Sequence, residues 1–169
     1  NNYLIDSVTS NPEIDLIQKE IDYFKKSNFS IDNVIAFGGG SAIDTAKSIN
    51  FCISSKELDP KLISIIKNPS HFSNNSLKPL YAIPTTAGTG SEVTQFSTVW
   101  DKKNKKKLSL THKNIFPEMA LVDPELTYGL PYLATISTGL DALNQAFESI
   151  WNKNANTITT QYAIKAINL

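Results

Sequence analysis

Apolar and polar positions follow two different periods along this chain. Residues 12–26 place apolar side chains three to four positions apart among charged ones, which predicts a surface helix. Two short apolar runs, at residues 33–37 and 80–84, predict strands that are buried on both faces of a parallel sheet. Helical spacing returns at residues 45–53 and again from residue 132 onward. Strands that alternate with helices indicate an α/β fold.

The chain after the second apolar run predicts more sheet before it becomes helical. Further strands are predicted at residues 94–100, 107–111 and 119–122. Residues 101–106 are charged or polar and predict the tip of a hairpin. The change of character near residue 130 predicts an α/β unit over residues 1–129, followed by the beginning of a helical unit over residues 130–169.

Composition narrows the class of protein. The sequence has 16 basic and 16 acidic side chains, so no net charge attracts it to nucleic acid or to an anionic membrane. It has no apolar run long enough to span a membrane and a single cysteine, Cys52, so we expect a protein of the reducing cytoplasm without a disulfide. The chain lacks an initiator methionine and ends inside a helical pattern, so we expect a fragment of a longer protein.

Three consecutive glycines, at residues 38–40, lie between the first apolar run and the next helical pattern. Glycine lets the backbone approach an anion closely, and a helix N-terminus offers that anion N–H groups and a positive dipole end. Ser41 and Asp44 resemble a capping box at the start of this helix. The glycines predict either a pyrophosphate cradle or a tight turn, and Asp44 with Lys47 could instead form a surface ion pair.

A second polar turn follows the second apolar run. Four of its side chains carry hydroxyls, those of Thr85, Thr86, Thr89 and Ser91, and they lie beside two glycines. Hydroxyl-rich turns at adjacent strand ends form ligand crevices in α/β sheets, whereas a single such turn is as often a solvated loop. We therefore expect the two turns to lie side by side at one edge of the sheet.

Three motifs in these segments are similar to successive signatures of the iron-containing (group III) alcohol dehydrogenases. They read GGGSAIDTAK at residues 38–47, PTTAGTGSEVT at residues 84–94 and TGLDAL at residues 138–143. Their order and spacing match as well, from about residue 32 to the end, and the central motif is highly specific. The resemblance implies a Rossmann-like nucleotide-binding domain followed by the start of an all-helical metal-binding domain, the dehydroquinate synthase-like architecture.

The resemblance further implies NAD or NADP as the cofactor. At the matching positions, Gly39, Gly40 and Ser41 would hold the cofactor pyrophosphate, with Asp44 close by. The implied contacts to the nucleotide, the nicotinamide and the ribose are those of Thr85, Thr86, Thr89, Thr94 and Lys107. The residue that selects NAD or NADP is expected in a segment outside this chain.

A divalent metal, Fe²⁺ or Zn²⁺, is also implied, which would polarise the substrate carbonyl while hydride passes from the nicotinamide. Asp141 matches the first metal ligand of the family. The second ligand is usually a histidine four residues later, and Gln145 stands there instead, a weaker ligand for such a metal. The remaining ligands are histidines that relatives carry farther along the chain, after the position of residue 169.

The resemblance implies an NAD(P)-dependent enzyme that interconverts a small alcohol and an aldehyde, and it assigns no individual catalytic residue in this chain. Residues 143–156 are similar to the phosphonoacetaldehyde reductases, which would make the substrate a small anionic aldehyde. Two alternatives stay open: an enzyme similar to glycerol dehydrogenase or dehydroquinate synthase, and a non-catalytic nucleotide-binding module. A homodimer is a further expectation, and neither nucleic acid nor membrane is expected as a partner.

Overall fold

The computed structural model of the chain describes residues 2–27, 29–56, 59–72 and 76–169, without the side chains of residues 71 and 72. Its helices are α1 (Ile14–Lys26), α2 (Gly40–Ile53), α3 (Leu62–Lys67), α4 (Tyr132–Trp151) and α5 (Thr157–Ile167). Its strands are β1 (Val34–Gly38), β2 (Leu80–Pro84), β3 (Phe96–Asp101), β4 (Lys106–Thr111) and β5 (Met119–Ala120). The alternation of helices and strands confirms the α/β class. The predicted helices and strands are present, and their ends are shifted.

The parallel sheet has the strand order β1-β2-β5. Helix α2 crosses over between β1 and β2, whose register pairs Val34 with Leu80 and Gly38 with Pro84. The N–H of Thr85 then donates to the carbonyl of Gly38 at 3.0 Å, so contact continues past the strand ends. Because the strands are parallel and adjacent, the turns that follow them leave the same edge of the sheet.

Strands β3 and β4 form a separate antiparallel hairpin, as the sequence predicts. Helix α2 packs between this hairpin and the parallel sheet, so the core lies on both of its sides. The larger cluster of buried apolar side chains is Ile17, Ile21, Ile49, Phe51, Cys52, Leu62, Ile65, Val99, Leu110 and Ile115. A smaller cluster joins α2 to the parallel sheet through Ala36, Ile43, Leu80 and Ala82. The position of α2 is therefore fixed from two directions.

One prediction about the first strand is wrong. Ala36 is buried against α2, but its neighbours Ile35 and Phe37 are 67% and 60% exposed. The pleat sends alternate side chains to opposite faces, and within the described part of the chain only the α2 face of β1 is covered. The apolar run therefore reflects a strand that this chain covers on one side.

The C-terminal part is a pair of helices, α4 and α5, that pack against each other. Asn156 caps α5 in a capping box, because its side chain accepts from the N–H groups of Ile158 and Thr159 at 3.0 Å and its own N–H donates to Oγ1 of Thr159 at 3.0 Å. In the parts of the chain that are described, no helix is both long enough and apolar enough to cross a lipid bilayer.

Candidate cofactor site

The glycine turn, defined here as residues 38–41, leads directly into α2. The first bonds of that helix run from the N–H groups of Ala42 and Ile43 to the carbonyl of Gly39, at 2.9 and 3.2 Å. The N–H groups of Gly40 and Ser41 lie ahead of these bonds, at the positive end of the helix dipole. This arrangement offers an anion two donors and a favourable local field, although the chain as a whole has no net charge.

The threonine turn, defined here as residues 85–94, packs onto the glycine turn. A Cβ at Gly39 would lie 3.1 Å from Cγ2 of Thr86, and a Cβ at Gly40 would lie 2.5 Å from Oγ1 of Thr89. Real Cβ atoms essentially never approach to 2.5 Å, so the turns can meet as they do only with glycine at residue 40, whereas a Cβ at residue 39 would be tight and Thr86 would have to shift by a few tenths of an ångström. The prediction that the two turns lie side by side at one edge of the sheet is confirmed.

A cleft of about 300 Å³ opens beside the glycine turn. It is lined by Phe37, Gly38 and Gly39 and by the N-terminal segment, which includes Asp6. The N–H of Asn11 donates to Oγ of Ser41 at 3.3 Å, which ties this segment to the start of α2.

No role was predicted for the segment before α1, yet this segment brings Asp6, an acidic side chain, to the edge of the candidate site. That the residue selecting NAD or NADP lies outside this chain stays a prediction.

Lys47 connects α2 to the threonine turn and its continuation. Its side chain is only 1% exposed, and Nζ donates to the main-chain carbonyls of Ser91, Thr94 and Phe96 at 2.5, 2.8 and 2.9 Å. Oγ1 of Thr94 lies 3.1 Å from the same nitrogen. Burial lowers the pKa of the Lys47 ammonium to about 8, while the charges of Asp44 and Glu92 oppose that shift.

Asp44 binds the same region from one turn earlier in α2. Oδ1 accepts from the Ser91 hydroxyl, and Oδ2 accepts from the N–H of Thr98 at 3.0 Å. Burial raises the pKa of the Asp44 carboxyl, and these two hydrogen bonds together with the charges of Lys47 and Lys107 oppose the rise.

Two predictions about the start of α2 are therefore wrong. Asp44 and Lys47 do not form a surface ion pair, because Lys47 is buried and both side chains reach partners on another segment. Nor does Ser41 open a capping box with Asp44, because the N-cap is Gly39, which has no side chain, and the Asp44 carboxylate is engaged elsewhere. Periodicity along the helix could not reveal partners that lie some fifty residues away.

The other residues that the resemblance implies are placed in two groups. Thr85, Thr86 and Thr89 lie on the threonine turn beside the glycines. Lys107 lies on β4 and not on either turn, with its ammonium 5.9 Å from the ring centroid of Trp100. Thr94 is at the far end of the threonine turn, where Lys47 binds it.

Helix α4 closes the other side of the threonine turn. A Cβ at Gly88 would lie 2.6 Å from the carbonyl oxygen of Thr138, so this contact also requires glycine. Nε2 of Gln145 donates to Oδ2 of Asp141 at 2.9 Å and reaches the carbonyl of Gly88 at 3.4 Å. The two residues implied as metal ligands are therefore adjacent to each other and to the turn.

The donor set for a metal is nevertheless incomplete. Asp141 supplies a carboxylate and Gln145 an amide, and no cluster of three or more His, Cys, Asp or Glu side chains suited to a metal occurs among the described residues. Iron and zinc prefer imidazole or thiolate to an amide oxygen. The described part of the chain does not make a metal site by itself.

Comparison with known proteins agrees with this geometry. The family model of the iron-containing alcohol dehydrogenases matches residues 1–124. The chain belongs to this family. Alcohol dehydrogenase 4 of Schizosaccharomyces pombe is a relative that is 36% identical over 169 residues, which is 99% of this chain and 38% of that protein.

Two solved structures of iron-containing alcohol dehydrogenase relatives share the fold. The iron-containing alcohol dehydrogenase of Thermotoga maritima is 34% identical with a TM-score of 0.85, covering 96% of this chain and 43% of that one. Sulfoacetaldehyde reductase of Bifidobacterium kashiwanohense, in complex with NAD⁺, is 33% identical with a TM-score of 0.75, covering 95% and 41%. The chain thus spans about two fifths of each of these proteins, the part that contains both turns.

Proposed function

We propose that the protein is an NAD(P)-dependent oxidoreductase that interconverts a small alcohol and an aldehyde. The observation that carries this proposal is the contact between the two turns, where a Cβ at Gly40 would lie 2.5 Å from Oγ1 of Thr89. That contact puts a helix N-terminus and a row of hydroxyls at one sheet edge, which suits a cofactor with a pyrophosphate and a polar ring amide.

The cofactor would be held by local geometry. The N–H groups of Gly40 and Ser41 would bind the pyrophosphate, as they precede the first bonds of α2. Thr86 and Thr89 would face the nicotinamide half, with Thr85 held in place through its N–H bond to Gly38. The protein residues thereby orient the ring, and the cofactor supplies the hydride.

NAD is the form of cofactor that the cleft favours. Asp6 lines the cleft together with Gly38 and Gly39, so the adenosine ribose of a cofactor bound at the glycine turn would come within reach of its carboxylate. A carboxylate there accepts hydrogen bonds from ribose hydroxyls and repels the additional phosphate of NADP. The NAD⁺ complex of the related sulfoacetaldehyde reductase is consistent with this choice.

The metal requirement is a separate part of the proposal. A divalent metal in such an enzyme supplies Lewis-acid stabilisation of the developing alkoxide. Asp141 is the described residue suited to hold it, and Gln145 would offer an amide oxygen only after turning its Nε2 away from that carboxylate. Completing the site would require ligands from outside the described residues.

We propose a small anionic aldehyde as the substrate, with phosphonoacetaldehyde and sulfoacetaldehyde as the leading candidates. Two observations support this choice. Residues 143–156 are similar to the phosphonoacetaldehyde reductases. The related structure from Bifidobacterium kashiwanohense is a sulfoacetaldehyde reductase.

The test is the reduction of aldehydes by the purified protein with NADH, monitored as the loss of NADH absorbance. Phosphonoacetaldehyde and sulfoacetaldehyde are compared with propanal, an uncharged control of similar size. We expect turnover with at least one anionic aldehyde at a higher kcat/KM than with propanal. Equal or better use of propanal overturns the substrate class and leaves the dehydrogenase proposal standing.

A non-catalytic nucleotide-binding module is the second candidate, because Gln145 stands at a ligand position and binds Asp141 directly. Under this alternative, NADH binds in a calorimetric titration but no aldehyde is reduced, even after Fe²⁺ or Zn²⁺ is added. Turnover with any aldehyde excludes the alternative.

A further inference from the structure

We infer that Lys47 is a positioning residue: its buried ammonium holds the threonine turn in the arrangement that accepts the nicotinamide half of the cofactor. This inference rests on the proposed function and adds a residue that touches neither cofactor nor substrate. The environment of Lys47 is unusual, because a lysine side chain that is only 1% exposed is rare unless its charge is compensated.

The ammonium is compensated by three main-chain oxygens, together with the charges of Asp44 and Glu92. Nζ of Lys47 binds the carbonyls of Ser91, Thr94 and Phe96, which span the end of the threonine turn and the start of β3. Hydrogen bonds from a charged donor are stronger than neutral ones, and here three of them converge on one atom. Lys47 therefore fixes the path of this backbone relative to α2.

A short chain of contacts links Lys47 to the glycine turn. Ser91, whose carbonyl accepts from Lys47 at 2.5 Å, donates its own N–H to Oγ1 of Thr89 at 3.2 Å. The same Oγ1 packs against Gly40 at the start of α2. Between Thr89 and Ser91, Gly90 adopts a left-handed conformation with a φ of 63°, which bends the backbone sharply. Lys47 thus acts through Ser91 on the hydroxyl that faces the helix N-terminus.

The inference predicts a selective loss when the ammonium is removed. In a Lys47→Met variant the three carbonyls lose their donor, so the threonine turn populates other conformations before cofactor binds. NADH would contact the threonine turn directly, whereas ADP would depend on that turn only through the contact of Thr89 with Gly40. We expect the Kd of NADH to rise about tenfold, equivalent to about 1.4 kcal/mol, and the Kd of ADP to rise less.

The experiment is a calorimetric titration of the purified protein with NADH and with ADP. Lys19→Met is the matched control, because it makes the same exchange on an exposed position of α1. We expect the control to bind both ligands as the wild type does. Circular dichroism and the melting temperature establish that each variant is folded.

Several results would overturn the inference. Wild-type affinity of Lys47→Met for NADH shows that the ammonium does not set the turn, and equal loss of NADH and ADP shows a purely structural role. If the wild type binds neither NADH nor ADP, the proposed function itself is wrong, and the inference falls with it. If Lys47→Met does not fold, Lys47→Gln replaces it, since the neutral and shorter amide keeps a polar donor at this buried position but reaches fewer of the three carbonyls. An unselective or absent effect in Lys47→Gln then overturns the inference.

Discussion

A methyl group at residue 40 tests whether the glycine turn and the threonine turn form one site. In Gly40→Ala the added Cβ would lie 2.5 Å from Oγ1 and 2.7 Å from Cγ2 of Thr89. Thr89 is too short to swing clear, so the threonine turn must move. Such overpacking typically costs ~1–3 kcal/mol. Alanine also favours a helix over glycine by up to about 1 kcal/mol, so stability changes less than the geometry of the site.

The expected result is a loss of NADH affinity of about 5- to 150-fold, which corresponds to that overpacking cost. The assay is a fluorescence titration with NADH, with the melting temperature measured in parallel. Gly139→Ala is the matched control, because a Cβ at this position in α4 meets nothing within 4 Å. We expect the control to bind NADH normally and to be slightly more stable.

A valine at residue 40 should abolish NADH binding altogether, since its branched side chain cannot avoid Thr89. A folded Gly40→Ala variant with wild-type NADH affinity would refute the reasoning, because the two turns could then separate without consequence. The pyrophosphate would have to be placed elsewhere.

Three further predictions concern cofactor choice, pH and metal. In Asp6→Ser, kcat/KM for NADPH should rise about tenfold relative to NADH, because the carboxylate that repels the additional phosphate is gone; an unchanged ratio in steady-state assays contradicts the role of Asp6. Below about pH 8 the folded and unfolded chains both keep the Lys47 proton, and between about pH 8 and 10.5 only the unfolded chain does. In denaturant titrations, the free energy of unfolding of the wild type should therefore rise with pH across this window relative to that of Lys47→Met. If the difference between the two free energies stays constant with pH, burial does not penalise the ammonium. In Gln145→His an imidazole stands four residues after Asp141 on the same helix face, so calorimetry should detect tighter Zn²⁺ binding than in the wild type; equal affinity would mean that this face of α4 does not bind metal.

Local signals predict the elements and the turns of this fold well. The hairpin between β3 and β4 follows from its charged tip, and the adjacency of the two turns follows from two apolar runs that each end in glycine or threonine. Each of these signals depends on residues that are close in sequence. Turns after neighbouring parallel strands must leave the same sheet edge, so even their contact is available from topology.

The parts that the sequence did not reveal depend on distant partners. Nothing near Lys47 in the sequence indicates that its ammonium binds carbonyls more than forty residues later. Likewise Asp6 precedes α1 in an irregular segment, and only the folded chain brings it beside the glycine turn. The exposed Ile35 shows the opposite error, because an apolar residue reports a face suited to burial and not the segment that covers it.

The glycines of the two motifs are therefore required for different physical reasons. Gly38 needs to be glycine because its φ is 147°, a backbone conformation that other residues rarely adopt. Gly39 has an ordinary φ of −74°, so its backbone does not require glycine, and the close approach of Thr86 is what leaves little room for a side chain. Gly88 is likewise constrained by contact with α4. These motifs thus encode contacts between segments as well as an anion cradle, which explains why glycine and threonine positions occur together.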